Sequence, residues 1–162
     1  MKNPEEKPQD FLLLYFFPVL CYYQENKRVM RQTYINYMKS ILLVEDDKFL
    51  SSLIKNRLEK EGFSVLYAMD GEMALDLLRS NTAEVGLVLL DIILPKKNGF
   101  EVLEEIQKDP SLSGIQVIIA SNLGQDSDIE RGKDLGAVDY YIKAHTSIDD
   151  LINHIRGYLL QV

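Results

Sequence analysis

Tryptophan is absent from this 162-residue chain, cysteine occurs once and histidine twice. With Cys21 alone, no internal disulfide can form, and a reducing compartment fits. His145 and His154 have no metal-ligand spacing around them and read as solvated surface residues. Positive charge is also short: 18 Lys and Arg stand against 25 Asp and Glu, a formal net charge of −7. That balance argues against direct nucleic-acid binding, which calls for a basic patch. No apolar run reaches the roughly 20 residues that cross a bilayer. The longest, Phe11 to Tyr23, is broken by Pro18. It follows Glu5, Glu6 and Asp10, with no small-residue cleavage site behind it, so it does not read as a secretory signal. A cytoplasmic location is the expectation. What the chain does have is 46% hydrophobic residues, enough to build one core.

Residues 1–37 do not resemble the rest. Lys2 to Asp10 is polar with two prolines, Phe11 to Tyr23 is aromatic-rich without a clean period, and Gln24 to Tyr37 mixes basic and aromatic residues. Met38 looks like a natural chain start. The expected organisation is an amino-terminal extension over 1–37, outside the fold, and one domain over 38–162. The alternative reading of residues 11–23 is a segment lying in a membrane interface.

From Ile41 onward, short apolar runs alternate with amphipathic stretches. Ile41 to Val44 is a strand signal, and Asp47 is an N-cap candidate for a helix with Leu50, Leu53, Ile54 and Leu58 on one face. Gly62 stops that helix. Phe63 to Ala68 is a second strand, and Asp70-Gly71 turns into a helix carrying Ala74, Leu75 and Leu78. Val85 to Leu90 is a third strand, followed by a turn at Pro95 and Asn98-Gly99 and a helix to Lys108. Ile115 to Ala120 is a fourth strand. Gly124 to Gly136 is helical but polar, and Gly132 weakens it further. Val138 to Ile142 is a fifth strand, and Ser147 with Asp149 and Asp150 opens a last helix. Five strand–helix units predict a doubly wound α/β fold with a parallel sheet.

Carboxylates stand at two of the strand ends. Glu45 and Asp46 come directly after the first strand and Asp91 after the third. If those strands are neighbours, as in the flavodoxin-like order 2-1-3-4-5, all three converge at the topological switch point. Like charges that close repel unless a cation sits among them, and Mg²⁺ suits a half-hydrated oxygen site. Helix-start carboxylates that stabilise a dipole would explain Glu45 and Asp46 in isolation, but not Asp91 at a separate strand end. Ser121 closes the fourth strand and Lys143 the fifth. A hydroxyl and an ammonium facing Asp91 are what an added phosphoryl group requires.

These residues resemble the receiver domain of two-component response regulators, close to its single-domain, chemotaxis-regulator-like members. The resemblance runs from Ser40 to about Leu160. It rests on Ile41-Leu42-Leu43-Val44-Glu45-Asp46-Asp47, Leu89-Leu90-Asp91-Ile92-Ile93-Leu94-Pro95, Ala120-Ser121-Asn122 and Asp139-Tyr140-Tyr141-Ile142-Lys143, in that order. It implies that Asp91 is the phosphoacceptor. It also implies that Asp46 and Asp91 bind Mg²⁺ directly, Glu45 through water, and Ile93 through its backbone carbonyl. Ser121 would hydrogen-bond the phosphoryl group, Lys143 would pair with it, and Tyr140 would be the aromatic switch residue that moves with Ser121. One departure matters: Ala144 stands where the family commonly has a cis proline. A cis bond before a non-proline residue costs about 2.5–4 kcal/mol, so a trans bond is expected.

The implied function is phosphoryl transfer from a sensor histidine kinase, or a histidine phosphotransfer protein, to Asp91. With no residues beyond Val162, a single-domain regulator is expected, signalling through a partner surface over 124–142 and the last helix. The chain would then be no enzyme beyond its own phosphorylation and slow dephosphorylation. The competing reading is an unphosphorylated adaptor acting only by protein–protein contact, which has no need of all five site residues. A phosphohydrolase would want an acid–base carboxylate two residues after Asp91, where Ile93 stands.

Overall fold

The computed structural model describes residues 39–160; the expectations for 1–37, including the membrane-interface reading of 11–23, lie outside them. Five strands, β1 (Ser40–Val44), β2 (Val65–Ala68), β3 (Val85–Leu90), β4 (Gln116–Ser121) and β5 (Asp139–Ile142), alternate with five helices. The helices are α1 (Lys48–Lys60), α2 (Gly71–Ser80), α3 (Gly99–Lys108), α4 (Asp126–Asp134) and α5 (Ile148–Leu160). The strands form one parallel sheet in the order β2-β1-β3-β4-β5, the flavodoxin-like topology expected from the sequence. No helix among the described residues is long and apolar enough to cross a membrane.

The central strands are covered on both faces, which is why they read as unbroken apolar runs. Alternation along each strand sends side chains to two cores. Leu42, Val44, Val88, Leu90, Val117 and Ile119 pack against Ala74, Leu75 and Leu78 of α2 and Val102, Leu103 and Ile106 of α3. Ile41, Leu43, Leu87, Leu89, Ile118 and Ala120 pack against Ile54 and Leu58 of α1 and Leu151, Ile152, Ile155 and Leu159 of α5.

Helix starts are set by side-chain caps. Asp47 accepts from the backbone N–H groups of Phe49 and Leu50, and Asn98 forms a capping box with Glu101. Ser147 receives the N–H of Asp150 at 3.1 Å. Two expectations need correcting. Leu53 is 45% exposed and stands off the buried face of α1, because that helix presents only a narrow stripe inward. The polar helix α4 is shorter than 124–136. Gln125 gives it no side-chain cap, and Gly136 leaves it at φ +90°.

Gly132 is the only buried residue of α4, and its role is clearance. A Cβ there would lie 2.7 Å from Ile119 Cδ1 and 3.0 Å from the Tyr140 ring. Ala ordinarily gains about 1 kcal/mol over Gly inside a helix. Overpacking of this kind costs about 1–3 kcal/mol, so crowding outweighs propensity. Gly132→Ala is therefore expected to lower the urea midpoint, and an unchanged or raised midpoint would remove the clearance argument.

Candidate functional site

The β1–β3 register sets the site. Val44 lies beside Leu90, so Glu45 and Asp91, one residue further on, emerge level with each other. The N–H of Asp91 donates to the Val44 carbonyl at 3.0 Å, and the N–H of Glu45 donates to the Ala68 carbonyl at 3.1 Å. Tyr67 Oη, from β2, holds the Glu45 carbonyl at 3.0 Å. Ser121 pairs with Ile142 across β4 and β5, and the N–H of Lys143 donates to the Ser121 carbonyl at 2.9 Å. Four strand ends thus deliver their polar residues to one rim of the sheet.

Asp91 is 6% exposed, Glu45 3% and Ser121 fully buried. Burial at that level demands partners, and every oxygen of the Asp91 carboxylate has one. Asp91 Oδ1 accepts from Ser121 Oγ at 2.7 Å and from the Ile93 N–H at 3.0 Å. Lys143 Nζ donates to Asp91 Oδ2 at 2.6 Å and to Glu45 Oε2 at 2.5 Å. Lys143 also lines a cavity of about 60 Å³ whose walls include Leu50, Ile54, Ala120 and Leu151. The Lys143–Ala144 peptide is trans.

One ammonium serves two buried carboxylates. Burial pushes the Glu45 carboxyl above its ordinary value; Lys143 pulls the other way, and the like charge of Asp91 adds to the rise. Burial alone would lower Lys143, but its bonds to Asp91 and Glu45 outweigh that and raise it. Asp46 is exposed and joins the cluster: carboxylate oxygens of Glu45, Asp46 and Asp91 all lie within 4.8 Å of one another. Three carboxylates and one ammonium leave a formal −2 on a small volume. An all-oxygen donor set with that charge, exposed on one side, fits a hard divalent cation that keeps part of its water.

Tyr140 is half-buried beside Ile119 of the core, and its hydroxyl donates to the Leu123 carbonyl at 2.9 Å, two residues past Ser121. Two contacts near the site were missed in the sequence. Tyr67, read only as a strand residue, grips the Glu45 backbone, and Lys96 reaches Asp70 at the start of α2. The alternation of β2 puts Tyr67 on the α1 face, but nothing in the residue order announces where its hydroxyl ends.

Comparison with known proteins gives a consistent answer. The family model described as response regulator receiver domain matches residues 41–156. The transcriptional regulatory protein CpxR of Escherichia coli is 42% identical over 122 residues, covering 75% of this chain and 50% of that protein. The chain spans about half the length of the curated relatives it matches first. Among solved structures, the phosphorylated cyanobacterial phytochrome response regulator RcpA is similar at 35% identity and a TM-score of 0.64, covering 74% of this chain and 90% of that one. The Mn²⁺-bound form of response regulator Rcp1 is similar at 32% identity and a TM-score of 0.66, covering 76% and 96%. By its fold and by these matches, the chain belongs to the response regulator receiver domain family, the phosphoaccepting signalling modules of two-component systems.

Proposed function

We propose that Asp91 accepts a phosphoryl group from a phosphohistidine donor in a Mg²⁺-dependent reaction, and that the modified domain signals through a protein partner. The observation that carries this reading is the Asp91 carboxylate held between Lys143 and Ser121, beside Glu45 and Asp46. The solved Mn²⁺-bound and phosphorylated relatives support it.

Asp46 and Asp91 would hold the metal directly, with Glu45 through water and the Ile93 carbonyl as a further ligand. The bound dication supplies neutralisation of the phosphoryl oxygens. A carboxylate oxygen of Asp91 attacks phosphorus as the bond to the donor imidazole breaks, and the electron pair leaves with the imidazole nitrogen. Lys143, already on Asp91, pairs with the developing charge, and Ser121 turns its hydroxyl from Asp91 to a phosphoryl oxygen. Water later attacks phosphorus, returning the Asp91 carboxylate and inorganic phosphate.

Loss of the Ser121 bond to Asp91 would free the loop that Tyr140 pins at Leu123, and α4 is the next element along the chain. Apart from Gly132, α4 buries no residue; a cation–π contact of Arg131 on Phe100 and an ion pair to Glu104 tie it to α3. Output then runs through α4, β5 and α5. Intact-mass measurement on the native protein tests whether the receiver acts alone.

On the input side, Phe49 is 81% exposed and Leu53 45%, an i,i+4 apolar ridge on α1 next to Asp46. A ridge of this kind suits the apolar groove of a histidine-bearing helical donor. Phe49→Ala should slow transfer from the donor protein about tenfold or more, the loss expected of a central apolar anchor. Its phosphorylation by acetyl phosphate, which makes no helix contact, should be unchanged. Equal slowing with both donors would sink the docking role.

A further inference from the structure

The connection from Asp91 to Asn98 carries an unusual residue. Lys96 sits at φ +64°, and among the described residues it is the only non-glycine with positive φ. Gly or Asn adopts that conformation more easily than a lysine, so something else must hold Lys96 there. Its Nζ lies 2.7 Å from Asp70 Oδ2, and Glu72 is 3.9 Å away.

Asp70 is the other half of the contact. Its side chain is 2% exposed, whereas that of Lys96 is 54% exposed. One Asp70 oxygen caps α2 through the Met73 N–H at 2.9 Å, and the other takes the lysine. The Lys96 ammonium holds the Asp70 carboxyl below its ordinary range, with the Met73 N–H adding to the effect. The backbone beside this pair is equally tight: a Cβ on Gly71 would lie 2.2 Å from the Lys97 carbonyl oxygen. The far end of the β3–α3 connection is therefore pressed against the start of α2 at two consecutive residues. Its near end carries Ile93, whose N–H is fixed on Asp91 Oδ1. Between these ends the connection closes on itself, with the N–H groups of Leu94 and Gly99 both donating to the Ile92 carbonyl, at 3.1 and 2.9 Å.

We infer that the Lys96–Asp70 pair is a positioning strut for the metal site: it fixes the β3–α3 connection against α2 and so sets where the Ile93 backbone stands relative to Asp91. The inference rests on the proposed reading of the acidic cluster as a divalent-cation site. Neither residue touches the metal. Both act through the loop, as residues behind a ligand shell do when they fix a ligand's orientation.

The test is isothermal titration with Mg²⁺ alone, on the full-length unphosphorylated protein and four variants. Lys96→Met removes the charge and keeps the strained backbone. Lys96→Gly removes the charge and relieves the strain. Asp70→Asn loses the pair but keeps an oxygen for the Met73 N–H, and Lys96→Arg keeps the pair. A strut predicts that the first three weaken Mg²⁺ binding by about tenfold, the low end of what disturbing a ligand's supporting partner costs. Arg should bind within about twofold of wild type, less than such a disturbance costs.

A long-range charge effect predicts something different. Removing the lysine charge would tighten cation binding, and removing the Asp70 charge would weaken it. Opposite signs for Lys96→Met and Asp70→Asn, or unchanged affinity in both folded variants, overturn the strut. If Lys96→Gly restores affinity, backbone strain rather than the ion pair sets the loop, which also overturns it. Failure of the wild-type protein to bind Mg²⁺ instead refutes the reading of the acidic cluster, a separately visible result.

Discussion

Asp91→Asn takes up no phosphoryl group from acetyl phosphate in Mg²⁺ buffer, while the wild-type protein gains one in an intact mass spectrum. The phosphorylated species should be lost on treatment with hydroxylamine, which cleaves an acyl phosphate and leaves phosphoserine untouched. The effect is all-or-none because the amide offers no anionic nucleophile, and its oxygen can still accept the Ser121 and Ile93 donors. The fold should survive, since Lys143 keeps Glu45 as a partner and the crowding of like charge falls. Ser121→Ala is the control that should slow uptake without abolishing it. Undiminished mass gain in Asp91→Asn would move the acceptor elsewhere and remove the basis of the proposed function.

Lys143→Met carries the largest expected cost in stability. The lysine side chain is 13% exposed, and it is the ammonium shared by the two buried carboxylates. Breaking a buried ion pair by removing one partner costs about 3–5 kcal/mol. The variant should therefore unfold at markedly lower urea without Mg²⁺. Two conditions should narrow the gap to wild type. Mg²⁺ stabilises both proteins by mass action, but at one fixed concentration it stabilises the variant more, because a site that has lost its ammonium holds the cation more tightly.

Lower pH is the second condition. Burial already raises the Glu45 carboxyl above its unfolded value, and losing Lys143 raises it further. A carboxyl raised in this way opposes folding above its folded pKa, and the penalty disappears below its unfolded value, about 4.3. The deficit of Lys143→Met should shrink as the pH falls from 7 toward that value. A gap that is constant with pH and indifferent to Mg²⁺ would mean that Lys143 acts through packing of its stem.

The sheet order and the two-sided cores were legible because β1 and β3 are unbroken apolar runs, and only a central parallel strand needs that pattern. Each of Glu45, Asp91, Ser121 and Lys143 either closes its strand or comes directly after it, so locating the strand located the side chain. Other features depend on distances between segments far apart in sequence. Lys96 and Asp70 are brought together by the crossing of two connections, and no local propensity places a lysine at positive φ. Gly132 read as a weak point in a helix, whereas the approach of the Tyr140 ring explains it. Leu53 was misassigned because spacing puts a residue on a helix face but does not say how wide the covered stripe is.

The connections at the carboxyl ends of the strands carry all the proposed chemistry; those at the amino ends carry none of it. Ser113 and Gly114, leading into β4 from that far side, are exposed, and Gly114 has open space where a side chain would grow. Foreign sequence spliced there is expected to leave the acidic rim intact. The domain can thus be tethered or tagged from its silent edge while its response to phosphate donors is read from the other.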